Sequence, residues 1–197
     1  MRILLIGATG TIGEAIATAL DRHELIRASR SKAPEQVDIA DPASIRALFT
    51  RVGKVDAVVS AAGLAAFKPL DALTDEDFAF SLGNKLMGQV NLVRLGFGSV
   101  NNGGSFTLTS GVLAQHPEPG TAAISLVNAG LEGFVRAAAL EAPRGIRVNV
   151  VSPPWVTETL KAMGRPLPGG RPAATVARAY VRSVEGAETG QVLKPTA

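Results

Sequence analysis

Residues 3–13, Ile3-Leu4-Leu5-Ile6-Gly7-Ala8-Thr9-Gly10-Thr11-Ile12-Gly13, set four consecutive apolar residues in front of three glycines spaced three apart. A short apolar run that ends at glycine reads as a buried strand, and Ile12-x-x-Ala15-Ile16-Ala17 beyond it has the spacing of a helix that covers a sheet. Glycines between such a strand and helix permit a tight turn, a close approach of backbone to a pyrophosphate, and close packing of the helix on the strand. The first amides of the helix then point at the phosphates. The stretch predicts a dinucleotide cradle made by Gly7, Thr9, Gly10, Thr11, Ile12 and Gly13.

Outward from this turn the same alternation continues. Apolar runs short enough to be buried strands recur at Leu25–Ala28, Val55–Ser60, Ser105–Thr109 and Ile146–Val151, with helical spacing over Ile12–Leu20, Ile45–Val52 and Leu126–Leu140. Several of these strands lack polar alternation, as expected when helices cover both faces of a sheet. The expected fold is therefore α/β, a three-layer α/β/α Rossmann fold with a doubly wound parallel sheet, in a single domain over residues 1–197. Asp41-Pro42 reads as a cap followed by proline in a first helical turn. Gly164 to Pro172, rich in Gly and Pro, reads as a mobile loop over the ligand.

The 197 residues carry a net charge of only +3, with dispersed basic residues, which argues against nucleic acid as a partner. Cysteine is absent and histidine is limited to His23 and His116, so no thiolate chemistry and no metal centre is expected. No leader-like segment precedes the first strand, and no apolar run stands out as a membrane crossing. A cytoplasmic location is the resulting expectation.

At the end of the second strand, where NAD-binding domains usually carry an acidic residue, the chain has Ala28-Ser29-Arg30-Ser31-Lys32. A guanidinium flanked by hydroxyls suits a 2′-phosphate, because it donates directed, charge-assisted hydrogen bonds. Ser29 and Arg30 thus favour NADP(H).

Several further motifs, taken in order, resemble the short-chain dehydrogenase/reductase family over nearly the whole chain. The glycine turn is similar to that of the family's extended members, and Val37-Asp38-Ile39 to the segment that meets adenine. Ser60-Ala61-Ala62-Gly63 resembles the Asn-Asn-Ala-Gly signature, with serine first. Asn84 falls where the family has its catalytic-site asparagine. Arg147 to Pro153, with Val156-Thr157, resembles the strand and loop that hold the nicotinamide carboxamide, and Gly190 to Leu193 resembles the last strand.

The resemblance also implies a tyrosine that exchanges the substrate proton, a lysine four residues later, and a serine about thirteen residues earlier. Here Ile124 stands at the tyrosine position and Asn128 at the lysine position. Isoleucine has no exchangeable proton, and a neutral amide cannot depress a neighbour's pKa by charge, though Asn128 can still hold ribose hydroxyls. For the serine, strict spacing reaches Gly111, while a one-residue gap restores Ser110. His116, six residues beyond, is a candidate proton shuttle. The only tyrosine, Tyr180, lies in a late helical stretch and reads as a packing residue.

Two functions stay open at this stage. One is an NADP(H)-dependent oxidoreductase acting on a small carbonyl or alcohol, with Ser110, Asn84 and His116 as candidate catalytic groups. The other is a catalytically silent NADP(H) sensor or scaffold. Small residues at Ala122-Ala123, Ala129-Gly130 and Gly133 permit close helix pairing, and a homodimer or homotetramer is expected.

Overall fold

The computed structural model describes residues 1–165 and 169–196. Its strands are β1 (Arg2–Ile6), β2 (Glu24–Ser29), β3 (Glu35–Gln36), β4 (Val55–Ser60), β5 (Val100–Thr109), β6 (Arg147–Val151) and β7 (Val192–Leu193). All pair in parallel, in the order β3-β2-β1-β4-β5-β6-β7. The order reverses between β1 and β4, which opens a crevice at the carboxyl ends of those strands.

The helices are α1 (Thr11–Ala19), α2 (Pro42–Val52), α3 (Asp75–Ser81), α4 (Gly88–Gly96), α5 (Ala122–Glu141), α6 (Thr157–Ala162) and α7 (Ala173–Glu185). Alternate residues of β1 feed two separate cores. Leu4 and Ile6 pack with Ile45, Leu48 and Phe49 of α2, Leu92 of α4 and Leu131 of α5. Ile3 and Leu5 pack instead with Ile16 and Ala17 of α1 and with Val176 and Tyr180 of α7. Burial on both faces explains why the strand sequences show no polar alternation.

Asp41 accepts from the Ala43 amide at 2.8 Å and caps α2, with Pro42 in its first turn. At α3, Thr74 and Asp77 form a reciprocal capping box. Between α3 and α4 the chain does not straighten but widens into a π-helical turn over Leu82–Met87. An inserted turn of this kind changes which side chains face inward, and such turns are frequent at functional sites.

Helix α5 departs from the expectation that no segment reaches membrane length. Over its 20 residues it is long and apolar enough to span a bilayer by composition alone. Its inner face nevertheless packs on the sheet through Leu131 and Val135, and it also buries Val127 and the polar Asn128 and Glu132. Of the segment expected to be a loop over the ligand, residues 166–168 lie outside the described residues. Its far end is tied to the chain after β6, where the Arg171 amide donates to the Trp155 carbonyl and the Thr157 amide to the Arg171 carbonyl, each at 2.9 Å.

Candidate active site

The turn after β1 shows why its glycines are needed. Gly7 has φ +83°, and a Cβ placed there would stand 2.5 Å from the Ala61 carbonyl oxygen. A Cβ on Gly13 would stand 2.0 Å from the Gly7 carbonyl oxygen, so these two glycines bring strand, turn and helix into backbone contact. Gly10 differs, since a Cβ there meets only the Gly7 oxygen, at 3.5 Å. It is also the N-cap of α1 and supplies no side-chain cap, so the first-turn amides stay open toward the crevice. Thr9, Gly10 and Thr11 are exposed at this rim.

Two adjoining cavities flank the turn and share Ala62, Gly63 and Leu64. The first is lined by Ser29, Arg30, Asp38, Ile39 and Asn84 together with Gly7. Arg30 lies on its rim with 76% of its side chain exposed, 3.4 Å from Asp38. The Asp38 carboxylate also accepts from the Ala40 amide at 3.0 Å, and the Ser29 hydroxyl accepts from the Lys32 amide at 2.9 Å. The chain therefore holds an acidic and a basic group side by side at this cavity.

The second cavity, about 410 Å³, is the larger. Its lining includes Ile12, Ala61, Gly111, Leu113, Ile124 and Asn128 together with Pro153, Trp155, Val156 and Thr159. Phe67 closes over Trp155, with ring centroids 6.2 Å apart. Ile124 and Asn128 are 5% and 2% exposed, so both candidate replacement positions do border the cavity while remaining largely covered. The Asn128 Oδ1 is buried without a hydrogen-bond partner. An uncapped helix start, an exposed guanidinium and an orphaned amide oxygen in one crevice fit a dinucleotide phosphate at one end and ribose hydroxyls at the other.

The candidate proton carriers fare differently. Ser110 lines the second cavity but is only 3% exposed, and its hydroxyl already donates to the Glu132 carboxylate at 3.0 Å. Glu132 also accepts from the Gln115 amide at 2.5 Å. Gly111 is the residue that meets Asn128, since a Cβ on it would lie 3.0 Å from Asn128 Nδ2. Both Ser110 and Gly111 line the cavity, and the strict thirteen-residue spacing finds the glycine. His116 is exposed and belongs to a different hollow beyond Val112 and Pro154, shared with Arg171 and Lys194. Asn84 does not reach the second cavity. Its Oδ1 accepts from the Leu64 amide at 2.7 Å and sets the course of the loop after β4. Thr157 begins α6 outside the cavity lining, which takes Thr159 instead. Ser60 lies beneath the floor, fully buried, and its carbonyl accepts from Thr109. Tyr180 is sealed in the core with its hydroxyl 2.7 Å from that of Thr109, and burial raises its pKa.

Several lining residues escaped the sequence reading, among them Phe67, Leu113, Trp155 and the ionisable Lys85. Lys85, next to Asn84 in the π-helical turn, runs its stem past Gly63 and places its amine 3.4 Å from the Ser110 carbonyl. Gly63 has φ +128°, and a Cβ on it would lie 3.0 Å from Lys85 Cγ, so the glycine clears the path of the lysine stem. Burial pushes the Lys85 ammonium down to about 8. The adjacent Gln89 clamps the end of β5, accepting from the Thr109 amide and donating to its carbonyl, both at 2.8 Å. A π turn shifts inward-facing positions, so helical spacing offered no signal for Lys85.

Comparison with known proteins follows the same lines. Residues 12–192 match the family described as enoyl-(acyl carrier protein) reductase. The hydroxynaphthalene reductase arp2 of Aspergillus fumigatus is 31% identical over 150 residues, covering 73% of this chain and 55% of that protein. The chain thus spans about half the length of the arp2-type relatives it matches. The crystal structure of the protein lin1944 from Listeria innocua superposes with a TM-score of 0.95 at 44% identity, covering 100% of both chains. A small-chain dehydrogenase solved in complex with NADPH gives 0.86 at 26% identity, covering 98% of this chain and 95% of the other.

Proposed function

Because the chain belongs to the short-chain dehydrogenase/reductase family, we propose that it is an NADP(H)-dependent oxidoreductase of a small carbonyl or alcohol with a non-standard proton donor. The observation that carries this reading is the pair of adjoining cavities on either side of the glycine turn. One ends at Arg30 and the other in an apolar hollow under Trp155 and Phe67. When bound, the cofactor supplies the hydride. The chain's own part is to bind, orient and exclude water. The α1 amides hold the pyrophosphate, Arg30 the 2′-phosphate, and Asn128 the ribose hydroxyls through its unpartnered oxygen. Ile12, Leu113, Ile124 and Trp155 form walls that keep water from the reacting carbon. A cytoplasmic setting belongs to the same proposal. So does pairing of chains through α5, supported by the open flank of Gly133 and the exposed Leu126 and Leu140.

A second reading, a silent NADP(H) sensor, draws its support from Gly111, Ile124 and Asn128, none of which can exchange a proton under ordinary conditions. The two separate on turnover. Protein loaded with NADPH is expected to oxidise it in the presence of small apolar aldehydes or ketones, followed by loss of absorbance. Retained NADPH with no oxidation across such a panel would favour the sensor.

A further inference from the structure

The reduction of a carbonyl needs a proton as well as a hydride, and the positions from which the family would supply it are here an isoleucine, an asparagine and a glycine. Among the described residues lining the second cavity, Lys85 is the only one whose side chain ionises within the ordinary pH range. It reaches that cavity by two local devices, the π-helical turn that aims it inward and the glycine at 63 that leaves room for its stem. Its amine lies 3.4 Å from the Ser110 carbonyl, beside Gly111 and facing the hollow that Ile124 and Asn128 border. No carboxylate comes within 4.0 Å of it among the described residues.

The ionisable groups on the elements packed around it are engaged elsewhere or distant along their helices. On α3, Asp77 pairs with Lys68, while Asp75 and Glu76 stand in the exposed first turn. On α4, Arg94 donates to Asn91. On α5, Glu132 is held by Ser110 and Gln115, Arg136 donates to the Glu132 carbonyl, and Glu141 is exposed at the far end. An amine in an apolar cleft without a counter-ion releases its proton more readily than one in water.

We propose that Lys85 is the catalytic proton donor of this site, in place of the tyrosine the family would carry where Ile124 stands. The inference rests on the oxidoreductase reading above. As hydride from NADPH bonds to the carbonyl carbon, the C=O π bond breaks and its electron pair moves to oxygen. That oxygen takes a proton from the Lys85 ammonium, an N–H bond breaks as an O–H bond forms, and the neutral amine is reprotonated from solvent. In the alcohol-oxidising direction with NADP⁺ the neutral amine accepts the proton.

The signs follow from the lowered pKa. Reduction needs the ammonium, which is full below about 8 and lost above it, so the rate falls as pH rises through that value. Oxidation needs the free amine and rises through the same value.

The test uses the full chain, the Lys85→Met variant, which keeps the stem beside Gly63, and Lys85→Arg, which keeps the charge but does not give up its proton. The Lys85 amine is titrated directly in the cofactor-free protein by ¹³C-dimethylation and NMR, its resonance identified by its loss in Lys85→Met. NADPH affinity is measured in parallel. The proposal expects a resonance titrating near 8. It further expects carbonyl reduction to fall by about 100-fold or more in both variants while NADPH affinity is unchanged. Turnover retained in Lys85→Met would overturn the lysine role and leave the oxidoreductase reading standing. A resonance titrating like a solvent lysine, or loss of NADPH binding in Lys85→Met, would also overturn it. Wild-type protein that holds NADPH but reduces nothing would end the oxidoreductase reading itself, and the proton role with it.

Discussion

Gly13→Ala is expected to destabilise the fold by about 3 kcal/mol or more, read from the urea midpoint of unfolding. The added Cβ would lie 2.0 Å from the Gly7 carbonyl oxygen, 2.8 Å from its carbonyl carbon and 2.9 Å from Ala8 Cα. All three are backbone atoms, so no side-chain rotation relieves the clash. Relief requires α1 to lift from β1, which would unpack Ile16, Ala17 and Leu20 from the core they share with α7. The gain in helix propensity from Gly to Ala, about 1 kcal/mol, does not offset this. A loss of that size is a large share of the roughly 5–15 kcal/mol by which domains are stable. Gly98→Ala is the matched control, because a Cβ there meets nothing within 4 Å. It should change stability by less than about 0.5 kcal/mol. Wild-type stability in Gly13→Ala would mean that the turn is not packed as described.

The second large effect concerns selectivity. Arg30 stands 76% exposed on the rim of the first cavity, paired only loosely with Asp38 at 3.4 Å. Recruiting it to a 2′-phosphate breaks little existing structure and creates charge-assisted bonds. Arg30→Ala should weaken NADPH binding by roughly 10- to 100-fold, as expected for one or two such bonds. NADH, which has no 2′-phosphate, should bind as before. Titration of both cofactors against both proteins checks this, and equal losses for the two would remove the arginine from phosphate recognition.

Much of the frame was legible because its causes are local. Ile3–Ile6 and Ser105–Thr109 announce buried strands since both faces of each are covered, and Gly7 and Gly13 announce the turn because no other residue fits. Edge strand β3 was not legible, because two residues make no pattern. The continuous helical run from Asp75 to Gly96 was missed although Thr74 and Asp77 spell a capping box, since the π turn at Leu82–Met87 breaks the 3.6-residue rhythm on which such readings depend.

The site divides along the same line. Ile124 and Asn128 sit on one regular helix, so the family resemblance, carried along that helix, brought both to the cavity. Ser110 and Gly111 are neighbours on an irregular turn after β5. Both line the cleft, and hydrogen bonding, which spacing does not report, commits the serine hydroxyl to Glu132. His116 failed for a related reason, because Val112 and Pro154 separate its hollow from the main one. Lys85 was hidden behind Asn84, one residue away, and only the geometry of the π turn decides which of the two faces the cleft.

The chain carries a built-in reporter for the central claim, that NADP(H) lies across the glycine turn with its nicotinamide end in the second cavity. Trp155 is the only tryptophan in the sequence and lines that cavity. Titration of the full chain with NADPH should quench Trp155 emission saturably, with one cofactor bound per chain. Adenosine 2′,5′-bisphosphate, expected to fill only the Arg30 end, should compete with NADPH without quenching. Absence of both quenching and competition would contradict the account.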